Sequence, residues 1–203
     1  MNLGIIGQAT GLFAVTNIDD ILILALFFAQ TAGRRGAALR IVAGQYVGFV
    51  GIAVVAVAAA FGATFLPAQV VPYLGLLPIA LGLKAAWQAW RSSRDGRDDA
   101  GDVPAAQRPS GPGALQVAAV TFANGGDNIG VYVPVFATGG VGATSLYVVV
   151  FLVLVGLWCL AGRYFATRPF VAATLSRWGH VVLPLVLIGV GLLILVEGGV
   201  IGL

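Results

Sequence analysis

Long apolar stretches constrain the fold of this sequence more than any other feature does. Each is at least about as long as the roughly 20 apolar residues that a helix needs to cross a bilayer. They cover residues 3–29, 38–63, 70–90, 113–138, 143–163 and 180–201. Only 9% of the 203 residues are charged, whereas soluble domains usually contain about 25%. The pattern predicts an all-α integral membrane protein with six transmembrane helices.

The basic residues predict the orientation of these helices. All eleven Lys and Arg residues lie in or beside the odd-numbered connections, within residues 34–40, 84–108 and 163–177. Cytoplasmic loops of membrane proteins collect Lys and Arg. Both termini of this multi-pass protein are therefore expected outside the cytoplasmic membrane. The lipid bilayer is the expected partner, and the basic pI of 9.4 needs no nucleic acid to explain it.

One connection differs from the others in length and composition. Residues 91–112 mix both charge signs with Pro, Gly and Ser and contain too few apolar residues to form a core. We interpret them as a flexible cytoplasmic linker between two three-helix units, residues 1–90 and 113–203. The first apolar stretch has no basic residue before it, so it is interpreted as a retained helix rather than a signal peptide.

The two units resemble each other when the first is shifted by 108 residues (127 − 19). Gln8 then coincides with Gln116, and Asp19 coincides with Asp127. Each unit has three predicted helices, which is an odd number, so the second unit must enter the membrane from the opposite side. The sequence therefore predicts two inverted three-helix repeats, an architecture found in many secondary transporters.

Acidic residues within the apolar stretches are the first indication of function. Asp19 and Asp20 lie near the middle of the first stretch, and Asp127 lies near the middle of the fourth. A charge at the centre of a bilayer costs at least about 2.5–3.5 kcal/mol on insertion scales, so such residues usually mark an ion or substrate pathway. No Lys or Arg is near these three acids in the sequence.

Three other ionisable residues in the apolar stretches or at their edges point to no specific chemistry. Glu197 lies near the outer end of the sixth stretch, where it is expected to face water. His180 lies at the cytoplasmic edge of that stretch, and an interfacial role is expected for it. Lys84 lies near the cytoplasmic end of the third stretch and is expected to extend its ammonium group towards the membrane surface.

Asp19 and Asp20 cannot face one point from a regular helix, because neighbouring residues differ in direction by about 100°. A shared site therefore requires a distorted helix. In the fourth stretch, the pair Gly125-Gly126 marks a place where the helix is weakest. A break frees backbone carbonyls, which are tolerated in a membrane only where they line a cavity. Carboxylates, amide oxygens and freed carbonyls together predict a site for a cation with oxygen ligands.

Enzyme chemistry is not expected. The segment "GDNIG" is not followed by the Gly-Lys-Ser/Thr of a phosphate-binding loop, and no His-Glu-x-x-His motif is present. Cys159 is the only cysteine in the sequence, which excludes an internal disulfide and a cysteine-rich metal site. We therefore expect no permanently bound cofactor, and energy supplied by ion gradients.

Four segments resemble the bacterial cadmium-resistance transporter family, which belongs to the lysine-exporter superfamily. They are "TNIDDILILALFFAQ", "LLPIALGLKAAW", "FANGGDNIGVYVPVFA" and "GHVVLPLVLIGVGLLILVEGG". The resemblance covers nearly the whole chain outside the linker. It implies a secondary transporter that exports a divalent cation such as cadmium across the bacterial inner membrane. It also implies the metal-binding positions Asn17, Asp19, Asp20, Asn124, Asp127 and Asn128.

The transported ion and the coupling are less constrained. Cadmium prefers thiolates, yet Cys159 is distant in sequence from both acidic motifs. An oxygen-rich site would also suit Mn²⁺, Ca²⁺ or Zn²⁺. Three crowded carboxylates predict that the site holds a proton until a cation displaces it, which is cation/proton exchange (antiport).

Two other functions stay open at this point. One is export of a cationic amino acid or another small organic cation, which would need an apolar pocket beside the acids. The other is a membrane assembly protein that transports nothing. The sequence does not determine whether the protein forms a homo-oligomer.

Overall fold

The computed structural model describes residues 3–31, 36–67, 69–95, 112–167, 184–185, 188–196 and 199–200. These residues form helices joined by short turns, and the described part of the chain contains no strand, which confirms the all-α class. The helices are α1 (Leu3–Thr16), α2 (Asp20–Gln30), α3 (Ala37–Ala63), α4 (Leu76–Asp95), α5 (Ala114–Asn124) and α6 (Gly126–Phe165). Residues 188–196 are also helical, and a 3-10 turn, Val71–Gly75, precedes α4.

Some predictions concern residues outside this description. His180, Glu197 and residues 96–111 of the predicted linker lie outside the described residues. The first part of that linker is described, and it is helical, because α4 continues through Asp95. No Gly or Pro occurs between the end of the apolar stretch and Gly96, so nothing in the sequence ends the helix earlier.

The first predicted span is a bent pair of helices rather than one straight helix. α1 and α2 are inclined by 60° across residues 17–19. The side chain of Asn17 donates from Nδ2 to the carbonyl of Phe13 at 2.9 Å, and Asp19 Oδ1 accepts from the backbone N–H of Asp20 at 3.1 Å. Such side chains compete with the backbone for helical hydrogen bonds. The bend provides the distortion that the adjacent carboxylates need.

A second interruption lies at Gly125, between α5 and α6. This is where the sequence predicted a break. α1 ends at Thr16 and α5 ends at Asn124, and these positions coincide under the 108-residue shift (124 − 16). The two halves of the chain therefore have broken helices at equivalent positions, as a repeat requires. Their inverted arrangement in the membrane stays a prediction.

α6 is a hairpin with two arms. Gly140 has φ 71° and ψ 173°, a conformation that favours glycine. It separates a first arm, residues 126–139, from a second arm, residues 141–165. The ring centroids of Phe136 and Phe151 are 6.3 Å apart, whereas a straight helix would separate these residues by about 22 Å. The arms therefore fold back on each other, and they match the end of the fourth predicted span and the fifth span.

Helix length and composition identify candidate membrane spans among the described residues. α3 and α6 are long and apolar enough to cross a membrane, and the bent pair of α1 and α2 makes a third span if it is counted as one. Val71–Lys84 and α5 are shorter apolar helices. The sixth predicted span, residues 180–201, is described only in part, so the six-span arrangement stays a prediction.

Aromatic side chains hold the end of α1 against α3 and α6. Phe13, Phe49, Tyr132 and Phe151 are buried, and Phe13 lies 5.4 Å from Phe49 and 5.5 Å from Phe151, between ring centroids. Tyr132 lies 4.9 Å from Phe151. Tilted aromatic pairs of this kind add about 0.5–1.5 kcal/mol beyond the burial of their area. The cluster fixes the broken part of the first span beside both arms of α6.

Glycines allow α3 and α5 to pack closely. A Cβ atom on Gly44 would meet the carbonyl oxygen of Ala114, and a Cβ atom on Gly48 would lie 2.7 Å from both the carbonyl oxygen of Ala118 and Cβ of Thr121. Small residues four positions apart let membrane helices approach each other in this way. The close approach brings the polar residues of α3 and α5 together.

Candidate functional site

The acidic pair lies where the two interrupted helices meet. Asp20 begins α2 and is only 5% exposed, whereas the side chain of Asp19, the N-cap of α2, is exposed. Asn124, the last residue of α5, donates from Nδ2 to Asp19 Oδ2 at 3.0 Å and to Asp20 Oδ1 at 2.9 Å. One amide from the second half of the chain thus connects both carboxylates of the first half.

The helix breaks also stabilise the carboxylates electrostatically. Asp19 caps the N-terminus of α2, and Asp127 lies in the first turn of α6. The N-terminus of a helix carries a partial positive charge of about half an elementary charge. Each interruption therefore places a positive helix end beside an acid, which offsets part of the cost of an acidic side chain in an apolar protein.

Gln45 of α3 belongs to this site, although the sequence analysis did not include it. Its side chain is 2% exposed; Nε2 donates to Asp20 Oδ2 at 2.9 Å, and Oε1 accepts from the hydroxyl of Thr121 at 2.6 Å. Both oxygens of Asp20 therefore accept hydrogen bonds from amides, Oδ1 from Asn124 and Oδ2 from Gln45. The signal that was available in the sequence is an amide within a long apolar helix.

Asn17 and Asn128 form a separate polar cluster behind the bend of the first span. Asn128 Nδ2 donates to Asn17 Oδ1 at 3.2 Å, and Asn17 Nδ2 donates to the hydroxyl of Tyr132 at 2.9 Å. Thr16 Oγ1 lies 2.9 Å from the same hydroxyl, and Trp158 Nε1 donates to the carbonyl of Asn17 at 2.7 Å. In this arrangement the two amides hold the bend, and their role as metal ligands stays a prediction.

Replacing Tyr132 by Phe tests the structural role of this cluster. The change removes the hydroxyl that Thr16 and Asn17 share, and we expect the free energy of unfolding to fall by about 1 kcal/mol, the order found for side-chain hydrogen bonds between membrane helices. Thermal unfolding of the purified protein in detergent measures the effect. Tyr73→Phe is the matched control, since Tyr73 is 51% exposed. Equal Tm changes in both variants would contradict the assignment.

Asp127 lies apart from the acidic pair. Its side chain is exposed at the start of α6, although it is close enough for its charge to act on Asp19 and Asp20. Among the described residues, no three His, Cys, Asp or Glu side chains come together as a group that could hold a metal ion. The structure therefore joins Asp19, Asp20 and Asn124, and a site that also includes Asp127 stays a prediction.

Lys84 brings a positive charge within electrostatic range of Asp127, which the sequence did not predict. The charge of Lys84 acts on Asp127. The packing of α4 against α6 explains why, because a Cβ atom on Gly130, one turn after Asp127, would lie 2.8 Å from Leu81 Cδ1, one turn before Lys84. The expectation that no basic group accompanies the acids was based on distance in sequence, which helix packing overrides.

Comparison with known proteins identifies one family. The family model described as "Cadmium resistance transporter" matches residues 13–203. That range includes both acidic motifs and every residue of the site described above. No curated protein and no solved structure matches the chain.

Proposed function

Because the chain belongs to the cadmium resistance transporter family, we propose that it exports a divalent metal cation across the bacterial inner membrane. Family membership and the long apolar helices support a transporter embedded in a membrane. The observation that carries the proposal is the meeting of Asp19, Asp20 and Asn124 at two equivalent helix breaks. The N–H groups of Asn124 donate to both carboxylates. A cation at the same place would contact the same two carboxylates.

The nature of the donors bears on which cation is carried. The site groups are carboxylate and amide oxygens, which suit Mn²⁺, Ca²⁺ and Zn²⁺ as well as Cd²⁺. Cys159, the single thiol of the sequence, is buried in the second arm of α6. The affinity of these ligands does not by itself select one metal. The geometry of the site and the availability of each metal therefore determine which ion is transported.

The charges of the site favour exchange with protons. Asp19 and Asp20, which Asn124 joins, carry a formal charge of −2, which one divalent cation would neutralise. When the cation leaves, two uncompensated negative charges in an apolar protein are costly, and protons taken up by the carboxylates remove that cost. Binding of the next cation then expels them.

Proteoliposomes with an internal pH dye test the proposal. Addition of Cd²⁺, Zn²⁺ or Mn²⁺ is expected to produce metal uptake together with proton efflux from vesicles that contain the wild-type protein. Asp19→Asn keeps the shape of the side chain but removes its charge and its proton, so we expect proton movement to fall about tenfold or more. Asp102→Asn, an acid of the predicted linker, is the control.

Each other outcome of that assay identifies a different function. Metal uptake without proton movement would rule out exchange. Uptake of lysine or arginine but of no metal would favour the organic-cation exporter. No flux of any of these substrates would favour a membrane assembly protein.

Membrane orientation is part of the proposal and can be tested separately. Single cysteines are introduced as Asn2→Cys, Ala100→Cys and Leu203→Cys in a Cys159→Ala background. The distribution of basic residues predicts that a membrane-impermeant maleimide added to intact cells modifies positions 2 and 203 and spares position 100. The opposite labelling pattern would overturn the predicted topology.

A further inference from the structure

The Gln45 amide is held at both ends, by Asp20 of α2 and by Thr121 of α5. The Oε1 atom of Gln45 can only accept a hydrogen bond, so the hydroxyl of Thr121, 2.6 Å away, is the donor. The opposite end of the amide, Nε2, then faces Asp20 Oδ2 at 2.9 Å. A reversed amide would place its oxygen against a carboxylate oxygen. The carboxylate of Asp20 therefore sets which end of the amide faces it, and the hydroxyl of Thr121 holds the amide in that orientation by donating to Oε1.

Burial makes this chain of three groups sensitive to the loss of any member. Thr121 is 1% exposed, and Gln45 and Asp20 are also buried. Within the described part of the chain, every buried side-chain nitrogen or oxygen has a hydrogen-bond partner. Hydrogen bonds are electrostatically stronger in such surroundings than in water, and an unpaired polar group costs more. Removing the hydroxyl of Thr121 would leave Oε1 of Gln45 without its partner.

α5 controls both oxygens of Asp20. Thr121 and Asn124 are three residues apart, on the same face of α5. Asn124 donates directly to Oδ1, and Thr121 acts on Oδ2 through Gln45. The backbones are held together here because Gly48 of α3 packs directly against Thr121. The position of one short helix thus sets the position of the carboxylate.

We propose that Gln45, held in place by Thr121, is a positioning residue that sets the affinity and the selectivity of Asp20 for the transported cation. The inference rests on the function proposed above. Without the hydroxyl of Thr121, Oε1 of Gln45 has no partner on α5, and the amide can turn to offer this oxygen to a cation bound at Asp20. An added neutral oxygen suits Mn²⁺ better than Cd²⁺, because manganese prefers oxygen ligands and cadmium is softer.

Two substitutions at one position separate the hydroxyl from the packing. Thr121→Val keeps the methyl group that contacts Gly48 and removes the hydroxyl, and Thr121→Ser does the opposite. Transport of Cd²⁺ and Mn²⁺ is measured in proteoliposomes with the full chain. We expect Thr121→Val to raise KM for Cd²⁺ about tenfold, the order expected when a buried acceptor loses its hydrogen-bond partner. We expect kcat to change by less than about threefold and the Mn²⁺/Cd²⁺ ratio of kcat/KM to rise.

The serine variant and a second threonine complete the test. Thr121→Ser is expected to restore KM for Cd²⁺ towards the wild-type value while its Tm falls, since it loses the methyl contact. Thr138→Val is the control, because the hydroxyl of Thr138 bonds to the carbonyl of Pro134 in its own helix, at 2.8 Å.

The outcomes separate this inference from the function on which it rests. If KM follows the methyl group instead of the hydroxyl, Thr121 acts only through packing and the inference is overturned. The inference would also be overturned if the wild-type protein transports metal and neither Thr121→Val nor Gln45→Leu changes KM or selectivity. The proposed function would stand in that case. No metal flux by the wild-type protein would overturn the proposed function, and the inference with it.

Discussion

Asp20→Asn is expected to abolish metal transport, with a loss of at least about 100-fold in the initial rate of Cd²⁺ uptake. Two effects combine in this variant. The carboxylate charge that attracts the cation is lost, and one end of the new amide carries N–H groups. Because Asn124 donates to Oδ1 and Gln45 donates to Oδ2, either orientation of the new amide puts two donors against each other until the amide of Gln45 or Asn124 turns over. An unpaired buried donor costs about 1–3 kcal/mol, so both effects together exceed a factor of 100.

A compensating variant makes this test specific. In Asp20→Asn with Gln45→Glu, the hydroxyl of Thr121 and the new amide at position 20 can both donate to the carboxylate at position 45. We expect this double variant to recover the Tm lost by Asp20→Asn, and to recover only part of the transport, because the charge is displaced. Uptake is compared at equal amounts of reconstituted protein, and wild-type rates in Asp20→Asn would contradict the proposed role of Asp20.

The second large effect is expected from Gly48→Leu. A Cβ atom at this position would lie 2.7 Å from the carbonyl oxygen of Ala118, so the backbones of α3 and α5 must move apart. Overpacking of a core side chain typically costs about 1–3 kcal/mol, and displacement of a helix backbone exceeds that range. For a chain of this size, a loss of about 3 kcal/mol lowers Tm by roughly 10 °C.

The same helix provides the control for this prediction. A Cβ atom on Gly62 of α3 would meet nothing within 4 Å. Gly62→Leu adds the same side chain to the same helix, and we expect its Tm to stay close to that of the wild-type protein. Thermal unfolding in detergent distinguishes the two variants, and a similar Tm for both would show that close packing of α3 on α5 is not needed.

The helical class of the fold could be predicted from hydropathy, but the bend in the first span could not. Hydropathy predicted a helix over residues 38–63, and α3 covers Ala37–Ala63. The interval 3–29 is equally apolar, yet it forms two helices. Its bend arises from hydrogen bonds between the Asn17 and Asp19 side chains and nearby backbone groups. Such bonds depend on local geometry, which an average over apolar residues does not contain.

The sequence placed Asp19, Asp20 and Asn124 in two separate motifs, and the structure joins these three residues. Asp127, the residue that the 108-residue shift matches to Asp19, lies apart from them, and its place in the site stays a prediction. Gln45 was missed because its contact with Asp20 depends on how α3 packs beside α2. Lys84 was missed for a similar reason, since only the packing of α4 on α6 brings its charge to Asp127. Tertiary contacts between distant segments are needed to find such residues.

The bonds that hold the bend of the first span bear on how this protein can move. Tyr132 of the first arm of α6 bonds to Thr16 and Asn17, and Trp158 of the second arm bonds to the carbonyl of Asn17. In transporters built from repeats, alternating access is often a rocking of one repeat against the other. Here such rocking would have to break all three of these bonds. We therefore expect α1, α2 and the α6 hairpin to move as one rigid body. This body contains helices from both halves of the sequence.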